Sequence, residues 1–261
     1  MDLSTARHAF ITGGASGIGL AVADALAARG VPVTIADIDA EELEKTLASR
    51  SGKLWGHVLD VRDRAAWARV RDEAEAALGP VDVLMNNAGI APDGVSFSDI
   101  DPASFDRMIA INLTGVFNGM HTFGKLLRER GRGHVVNTAS TAGITFSYPG
   151  AGAYTAAKHA VVSMTETFRA EMEPFGVGVS VLCPGLIDTN LGKSTAKLKG
   201  EPVHDGMRMP PGAADPAMVG DLVVKGIEQN QPYILTHPGR WKDTEKWQSA
   251  LADAFAQAGA N

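Results

Sequence analysis

The sequence predicts one α/β domain built on a doubly wound parallel sheet of about seven strands, with helices on both faces. Two observations support this fold class. Short apolar runs alternate with segments of helical periodicity from residue 8 to residue 257. No stretch of the 261 residues has the composition of a linker or forms an internal repeat. Strands that alternate with helices along a whole chain pair in parallel, and the crossover helices cover both faces of the sheet.

In the first half of the chain, turn signals separate the predicted elements. Ile18, Val22 and Leu26 repeat at helical spacing after the first strand, and Arg29-Gly30 ends that helix. Gly79-Pro80 breaks the chain before the fourth strand. The elements predicted here are strand 8–12, a helix from the glycine-rich turn to residue 30, strand 31–36, helix 41–51, strand 54–60, helix 63–78 and strand 81–86.

The second half of the chain continues the alternation with longer helices. Three more strand-length apolar runs occur there, each separated from the next by a helical segment. The elements predicted here are helix 102–130, strand 133–138, helix 154–175, strand 178–183, helix 215–228, strand 233–236 and helix 241–257.

A glycine-rich turn, Gly13-Gly14-Ala15-Ser16-Gly17-Ile18-Gly19, follows the first strand directly. Glycines remove the side chains that would keep a pyrophosphate from the backbone N–H groups and from the positive end of the following helix. The turn therefore predicts a dinucleotide site of the Rossmann type. The alternative is a tight strand-to-helix connection without a ligand.

An acidic residue at the end of the second strand supports the dinucleotide interpretation. Asp37 lies 24 residues after Gly13, where a carboxylate can accept hydrogen bonds from the adenosine ribose and repel a 2′-phosphate. No Arg or Lys occurs in the glycine turn or directly after Asp37. The sequence therefore predicts NAD rather than NADP as the cofactor. The alternative role for Asp37 is a helix cap, which Asp39 could fill instead.

Tyr154 and Lys158 are one helical turn apart, so their side chains lie on the same face of the predicted helix. A phenol is a poor base at pH 7, but a fixed positive charge nearby favours the phenolate. A pKa lowered by about three units, or about 4 kcal/mol, would make proton transfer efficient near neutral pH. The alternative for an isolated pair of this kind is a surface contact.

Further motifs follow the later strands, where parallel sheets bind their ligands. Asn86-Asn87-Ala88-Gly89 follows the fourth strand, Ser140 the fifth, and Pro184-Gly185-Leu186-Ile187-Asp188-Thr189 the sixth. With the glycine turn and the Tyr154/Lys158 pair, these motifs resemble the classical short-chain dehydrogenase/reductase family in content and order. The resemblance covers about residues 5 to 190. It implies an NAD-dependent alcohol dehydrogenase or ketone reductase on a Rossmann-type sheet.

The resemblance assigns catalytic roles to four residues. Tyr154 would be the general acid/base on the substrate oxygen, and Lys158 would lower its pKa and bind the nicotinamide ribose. Ser140 would donate a hydrogen bond to the same oxygen. Thr141 competes with Ser140, because it has the commoner spacing to the tyrosine, but Ser140 stands three residues before Gly143, as the family's serine does. Asn112 would complete a proton relay; its alternative is a helix kink or an internal hydrogen bond.

The resemblance also assigns the cofactor site. The expected contacts, in order along the chain, are to the pyrophosphate, the adenosine ribose, the adenine, the nicotinamide ribose and the carboxamide. The residues are Gly13, Ser16, Gly17, Ile18, Gly19, Asp37, Ile38, Asp60, Val61, Asn87, Ala88, Gly89, Tyr154, Lys158, Pro184, Gly185, Ile187 and Thr189.

Composition narrows the range of partners. A net charge of −6 argues against nucleic acid. No apolar run is long enough for a membrane span and no export signal begins the chain, so we expect a cytoplasmic protein. Histidine spacing predicts no metal site, and Cys183 is expected to be a buried inert thiol. The resemblance implies a homotetramer or homodimer, with the helix from Tyr154 contributing to the interface.

The substrate is expected to be a small, hydrophobic or aryl secondary alcohol or its ketone. Residues 90–97, residues 144–148 and Trp241 would form an apolar pocket, and residues 190–214 a mobile lid. Three alternatives remain at this stage. The chain could be an inactive dinucleotide-binding sensor, an NADP-preferring carbonyl reductase, or an epimerase or dehydratase. The complete catalytic set argues against the first, and the length of the chain against the last.

Overall fold

The computed structural model describes residues 1–259 except 51, 53, 146–148 and 204–211. Seven strands of this described chain form one sheet in the order β3-β2-β1-β4-β5-β6-β7, and every neighbouring pair is parallel. The predicted fold class is therefore confirmed. The strands are β1 (Ala9–Thr12), β2 (Val33–Asp37), β3 (Leu54–Val58), β4 (Val83–Asn86), β5 (His134–Thr138), β6 (Gly178–Cys183) and β7 (Tyr233–Leu235).

Helices cover the sheet on both faces because its central strands are apolar on both faces. In β1, Ala9 and Ile11 join one core cluster, whereas Phe10 joins the other. The first cluster lies under α1 (Gly17–Ala27), α2 (Ala40–Ser49) and α8 (Pro216–Glu228). The second lies under α3 (Arg64–Leu78), α4 (Pro102–Ile109), α5 (Gly115–Arg130) and α6 (Gly152–Met172). Two further helices are α7 (Leu191–Lys199) and α9 (Trp241–Ala258).

Several helices begin at an aspartate whose side chain accepts hydrogen bonds from the first free backbone N–H groups. Asp39 accepts from Glu42 N at the start of α2, and Asp63 caps α3 in the same way. Asp101 and Asp215 cap α4 and α8. Each such cap contributes about 1 kcal/mol to the stability of its helix. Asp39 therefore fills the capping role that was the alternative for Asp37.

Three boundaries differ from those predicted. The helix predicted at 102–130 is interrupted by a π-helical turn, Ala110–Thr114, which contains Asn112. The helix predicted from residue 154 begins at Gly152. Residues 190–214 were predicted to lack periodicity, but they contain α7; its C-terminus is stabilised by ion pairs to residues far away in the chain.

The strand order reverses between β1 and β4, and this reversal opens a crevice beyond the carboxyl ends of the strands. Three segments meet at that crevice: the glycine turn after β1, Asp37 at the end of β2, and the Asn87 loop after β4. Residues that are distant in sequence are therefore gathered at one edge of the sheet.

Candidate active site

A cleft of about 530 Å³ lies at the crevice, within the size range of small-molecule sites. It extends from Asp37 and α2 at one end to Tyr154 and Lys158 at the other. Most of the predicted cofactor residues line it: Gly13, Ser16, Gly17, Ile18, Asp37, Ile38, Asp60, Val61, Asn87, Ala88, Gly89, Tyr154, Lys158, Pro184 and Thr189.

The glycine turn fits a phosphate group. A Cβ on Gly13 would lie 2.9 Å from Cα of Ala88, so any larger residue would collide with the backbone on the opposite wall. Gly17, which begins α1, has a φ of 54° and a Cβ there would lie 3.1 Å from Thr189. Within the described chain, the Ser16 side chain makes no capping hydrogen bond to α1. The N–H groups at the start of α1 are therefore suited to an anionic ligand.

Asp37 forms the far end of the cleft and also holds the backbone of that end together. Its Oδ2 accepts a hydrogen bond from Ala15 N at 3.1 Å, and its Oδ1 accepts one from Asp39 N at 3.1 Å. Burial raises the pKa of the Asp37 carboxyl, although these hydrogen bonds act in the opposite direction. A carboxylate can accept about four hydrogen bonds, so Asp37 keeps capacity for ribose hydroxyls.

Asp60, which lines the cleft and is predicted to contact the adenine, is paired with a neighbour. Arg62 Nη2 lies 2.6 Å from Asp60 Oδ2, and this hydrogen bond is the main reason that the pKa of Asp60 is lowered. Both side chains are about one-third exposed. The carboxylate is therefore ionised at neutral pH and fixes the loop after β3 against the cleft.

The Asn87 loop is tied to β1 by Thr12, the last residue of that strand. Thr12 Oγ1 accepts hydrogen bonds from Asn87 N at 2.9 Å and Ala88 N at 3.1 Å. Asn87 Nδ2 donates to Thr12 O at 3.1 Å. Thr12 thus positions two walls of the cleft relative to each other.

Lys158 is buried at the inner end of the cleft, with only 4% of its surface exposed. Its Nζ donates a hydrogen bond to Thr138 O at 2.9 Å and lies 5.6 Å from the centre of the Tyr154 ring. Burial lowers the pKa of the Lys158 ammonium to about 8. The residue is therefore a cation at pH 7, in surroundings that oppose its charge.

Tyr154 and Ser140 form the second half of this inner end. The two side chains are hydrogen-bonded, and that bond acts to lower the pKa of the Tyr154 phenol. Desolvation is the larger effect, and the pKa is raised. The Lys158 ammonium is directed to Thr138 O, and burial penalises the phenolate. The lowering of this pKa by Lys158 stays a prediction.

Asn112 lies beneath the site rather than in the cleft. Its Oδ1 accepts a hydrogen bond from Ile90 N at 2.8 Å, and its Nδ2 donates to Ile90 O at 3.0 Å. A Cβ on Gly89 would lie 2.8 Å from Asn112 Oδ1 and 3.6 Å from Lys158 Nζ. The Asn112 side chain therefore holds the Gly89-Ile90 backbone beside Lys158, which is the internal hydrogen bond named as its alternative role.

Three predicted cofactor residues do not line the cleft. Ile187 is 2% exposed and its side chain packs in the core. Gly185 packs against His237, and a Cβ there would lie 2.5 Å from His237 Nδ1. A Cβ on Gly19 would lie 2.2 Å from Gly13 O, so Gly19 permits close contact between α1 and the turn. These residues shape the walls of the cleft, and their contact with a cofactor stays a prediction.

The cleft also contains residues that the sequence did not identify. Thr138 and Ala139, at the end of β5, could have been found by the strand-end rule. Leu191, Ser194, Lys197 and Leu198 come from α7, and only the structure brings that helix over the cleft.

An exposed aromatic ring lies at the start of α6, the helix that carries Tyr154. Phe97 packs over the start of α6, where a Cβ on Gly152 would lie 2.3 Å from the Phe97 ring, and 64% of Phe97 is exposed. Gly94 crosses next to Gly150 in the same region. Trp241 is not among the residues that line the cleft. Of the predicted pocket and lid, residues 146–148 and 204–211 lie outside the described residues.

Two other expectations concern groups away from the cleft. Cys183 is fully buried, and burial raises the pKa of its thiol to about 12, so it is unreactive at neutral pH. Among the helices of the described chain, none combines the length and apolar character needed to cross a bilayer.

Comparisons with known proteins identify the family of this chain. A family model described as short chain dehydrogenase matches residues 7–199. The chain is 36% identical over 267 residues to a C alpha-dehydrogenase from Sphingobium sp. (strain NBRC 103272 / SYK-6), covering 95% of this chain and 86% of the relative.

Solved structures agree with the sequence comparison. A short chain dehydrogenase/reductase from Burkholderia phymatum in complex with NAD superposes with a TM-score of 0.84 at 30% identity, covering 94% of each chain. The apo form of LigD from Sphingobium sp. strain SYK-6 superposes with a TM-score of 0.79 at 34% identity, covering 95% of this chain and 96% of that chain.

Proposed function

This chain belongs to the short-chain dehydrogenase family of oxidoreductases, which use a nicotinamide dinucleotide, and we propose that it interconverts a hydrophobic or aryl secondary alcohol and its ketone with NAD(H). One observation carries the proposal. Tyr154, hydrogen-bonded to Ser140 and next to Lys158, lies at the inner end of a cleft whose outer end is Asp37.

The proposed chemistry assigns one task to each side chain. The bound dinucleotide supplies a hydride acceptor or donor at nicotinamide C4. Tyr154 Oη takes the hydroxyl proton during oxidation and returns a proton to the carbonyl oxygen during reduction. Ser140 Oγ donates a hydrogen bond to the same substrate oxygen. Lys158 holds the ribose hydroxyls and supplies positive charge beside the phenol, and Asn112 positions the Gly89-Ile90 backbone.

The preference for NAD over NADP rests on Asp37. Its carboxylate faces the outer end of the cleft together with Asp39, Glu41 and Glu42, so this end carries a concentration of acidic groups. A 2′-phosphate there would meet like charges in partly desolvated surroundings. Lys197 is the nearby cation, but its Nζ lies 2.6 Å from Asp39 Oδ2 and is already paired. The arrangement therefore favours a ribose with a free 2′-hydroxyl.

Apolar side chains in and near the cleft support a hydrophobic or aryl substrate. Phe97 presents an exposed ring against Gly152, two residues before Tyr154 in the chain, and Ile90 lines the cleft. A pair of aromatic rings is stabilised by about 0.5–1.5 kcal/mol beyond the contribution of the surface area that the pair buries.

We further propose that α7 is part of a lid over the cleft. Lys199 Nζ lies 2.8 Å from Asp93 Oδ1, and both side chains are largely buried. Ala91 N donates a hydrogen bond to Thr195 Oγ1 at 2.9 Å, and the Lys197–Asp39 pair fixes the helix on the other wall. Because α7 is held on both sides of the cleft, we expect these contacts to break when the cofactor leaves.

Kinetics of cofactor release test the lid. Lys199→Met removes one partner of a largely buried pair, and we expect NADH release to become at least about 10-fold faster in stopped-flow fluorescence. Lys193→Met, on the same helix, is the matched control and should release NADH at the wild-type rate. Equal rates for wild type and Lys199→Met would contradict the lid.

The experiment that tests the function is a panel of aryl and alicyclic secondary alcohols, followed by NADH absorbance. Tyr154→Phe should abolish turnover and retain NADH binding, whereas Tyr233→Phe, far from the cleft, should keep both. Substantial residual activity in Tyr154→Phe would refute the assigned acid/base. Cofactor binding without turnover on any alcohol or ketone would favour the sensor alternative.

A further inference from the structure

The residues that follow β7 lie beside the loop that follows β6. The two strands are parallel, and their register brings the first residues beyond them, Pro184 and Thr236, side by side. Thr236 is only 8% exposed, and it lies at the carboxyl end of the sheet, where parallel sheets bind their ligands. Neither Thr236 nor the next residue, His237, falls within residues 7–199, which match the family model. The fold therefore brings a buried hydroxyl from the last strand to the edge of the candidate active site.

One peptide group, the one between Pro184 and Gly185, is held by a hydrogen bond at each end. Its N–H, on Gly185, donates to Thr236 Oγ1 at 2.9 Å. Its carbonyl, Pro184 O, accepts from Thr141 N at 2.9 Å. The N–H and the C=O of a trans peptide point in opposite directions within one plane, so the two hydrogen bonds together fix the orientation of that plane. Thr236 therefore helps to determine where Pro184 O lies.

Pro184 O lies at the limit of hydrogen-bond distance from the Ser140 hydroxyl, 3.5 Å from its Oγ. Ser140 Oγ accepts a hydrogen bond from Ala142 N at 3.1 Å, and it has a single proton to donate. Tyr154 is hydrogen-bonded to the same hydroxyl. In the proposed reaction that proton is needed by the substrate oxygen. A small rotation of the Pro184–Gly185 peptide would bring Pro184 O closer and make it a competing acceptor.

The His237 ring orients the Thr236 hydroxyl. Its Nδ1 lies 2.7 Å from Thr236 Oγ1. Because Thr236 Oγ1 accepts a hydrogen bond from Gly185 N, its own proton is free to be donated to His237 Nδ1, and this assigns the ring proton to Nε2. The ring also lies against Gly185, where a Cβ would be 2.5 Å from Nδ1 and 2.7 Å from Cγ of His237. The glycine therefore lets the imidazole approach the peptide closely enough to hold the hydroxyl in place.

We propose that Thr236, oriented by His237, is a positioning residue for catalysis. Through the Pro184–Gly185 peptide it keeps the Ser140 hydroxyl free to donate its proton to the substrate oxygen. The inference rests on the proposed interconversion of an alcohol and a ketone, in which Ser140 performs that task. The role requires a hydroxyl at position 236, because an apolar side chain of the same shape would leave Gly185 N without its acceptor.

Two substitutions at position 236 test the role in steady-state assays. Thr236→Val keeps the shape but lacks the hydroxyl, and kcat should fall at least about 10-fold, a part of the ~10²–10³-fold that the loss of one oxyanion donor costs. Thr236→Ser keeps the hydroxyl and should remain within about 3-fold of wild type. Equal losses in the two variants, or no loss in Thr236→Val, would overturn the proposal.

Thr34→Val is the matched control. It also removes a buried threonine hydroxyl that is bonded to a histidine ring, since Thr34 Oγ1 lies 2.8 Å from His8 Nε2. Thr34 lies near the amino end of β2, away from the cleft, so kcat should equal that of wild type. A loss of kcat in Thr34→Val as large as that in Thr236→Val would overturn the positioning role, because any buried hydroxyl would then have the same effect.

A double-mutant cycle with Ser140→Ala distinguishes positioning from damage to the fold. If Thr236 acts through Ser140, then Thr236→Val should change the single-turnover rate by less than about 2-fold once Ser140 has been replaced. The same fold-loss in both backgrounds would show that Thr236 acts independently of Ser140, and would overturn the proposal.

Hydrogen exchange at the Gly185 amide tests the contact without any turnover. This N–H should exchange at least about 10-fold faster in Thr236→Val than in wild type, and at the wild-type rate in Thr236→Ser. Unchanged exchange in Thr236→Val would overturn the proposed anchor. A wild type that turns over no alcohol or ketone would instead refute the proposed function, and with it the catalytic role of Thr236, even where the exchange rates show the hydrogen bond. The two failures are thereby distinguished.

Discussion

Replacing Lys158 by methionine is expected to stabilise the protein near neutral pH while it removes turnover. Burial lowers the pKa of the Lys158 ammonium from 10.5 to about 8. At pH 7 the folded protein therefore carries a charge in surroundings that favour the neutral amine. Methionine has a similar length and no charge, so Lys158→Met removes this cost and keeps the packing.

The size of the effect follows from the two pKa values. Their difference corresponds to about 3 kcal/mol of unfavourable free energy below pH 8. Methionine loses the hydrogen bond to Thr138 O, which costs about 1 kcal/mol. The net gain of Lys158→Met at pH 7 is therefore about 2 kcal/mol. Between pH 8 and pH 10.5 the unfolded wild type binds more protons than the folded one, so wild type becomes more stable as the pH rises and the advantage of the variant disappears.

Urea unfolding at pH 7 and pH 10, at equal protein concentration, measures this difference. At pH 7 the variant should also melt about 4–8 °C above wild type. Lys242→Met replaces an exposed lysine and should differ little from wild type at either pH. A variant that is less stable than wild type at pH 7, or a stability difference that does not change with pH, would refute the reasoning.

Three further predictions concern other titratable groups. Asp37→Ala should lower the NAD-to-NADP ratio of kcat/KM by at least about 10-fold, or about 1.4 kcal/mol, in steady-state assays; a wild type that prefers NADP would contradict the Asp37 argument. Burial lowers the pKa of His134 to about 3, so below pH 6.5 only the unfolded chain takes up its proton. Wild type should lose about 2 kcal/mol relative to His134→Gln between pH 7 and pH 5 in urea unfolding, and no relative loss would disprove this. Because the pKa of Tyr154 is raised, kcat/KM for alcohol oxidation should rise from pH 7 to pH 9, and a plateau beginning below pH 7 would count against that direction.

The sequence was sufficient for the fold and for the residues at the ends of the strands. Asp37, Asn87 and Ser140 each follow or end a strand that is recognisable from local apolar pattern. A parallel sheet then brings those ends together without further information. The motif residues at the glycine turn lie in the cleft for the same reason.

The sequence was not sufficient where a position depends on contacts between distant residues. The place of α7 depends on Lys199 and Asp93, which are 106 positions apart. The Asn112 side chain is bonded to Ile90, 22 positions away. Ile187 belongs to a recognisable motif, but only the surrounding core shows that its side chain points away from the cleft. The pKa of Tyr154 also depends on burial, which no local pattern reports.

Burial favours the neutral form of three titratable groups of the cleft, and these groups lie at both of its ends. It raises the pKa of Asp37 and of Tyr154 and lowers that of Lys158, so in each case it favours the neutral form. Charges in such surroundings are weakly screened and interact strongly with a ligand. Hydroxyl groups of a ribose can compensate Asp37 at one end and Lys158 at the other without adding a charge. We propose that binding of the cofactor offsets the unfavourable free energy of these buried groups, and that a lysine is kept at position 158 for this reason although methionine is expected to be more stable there.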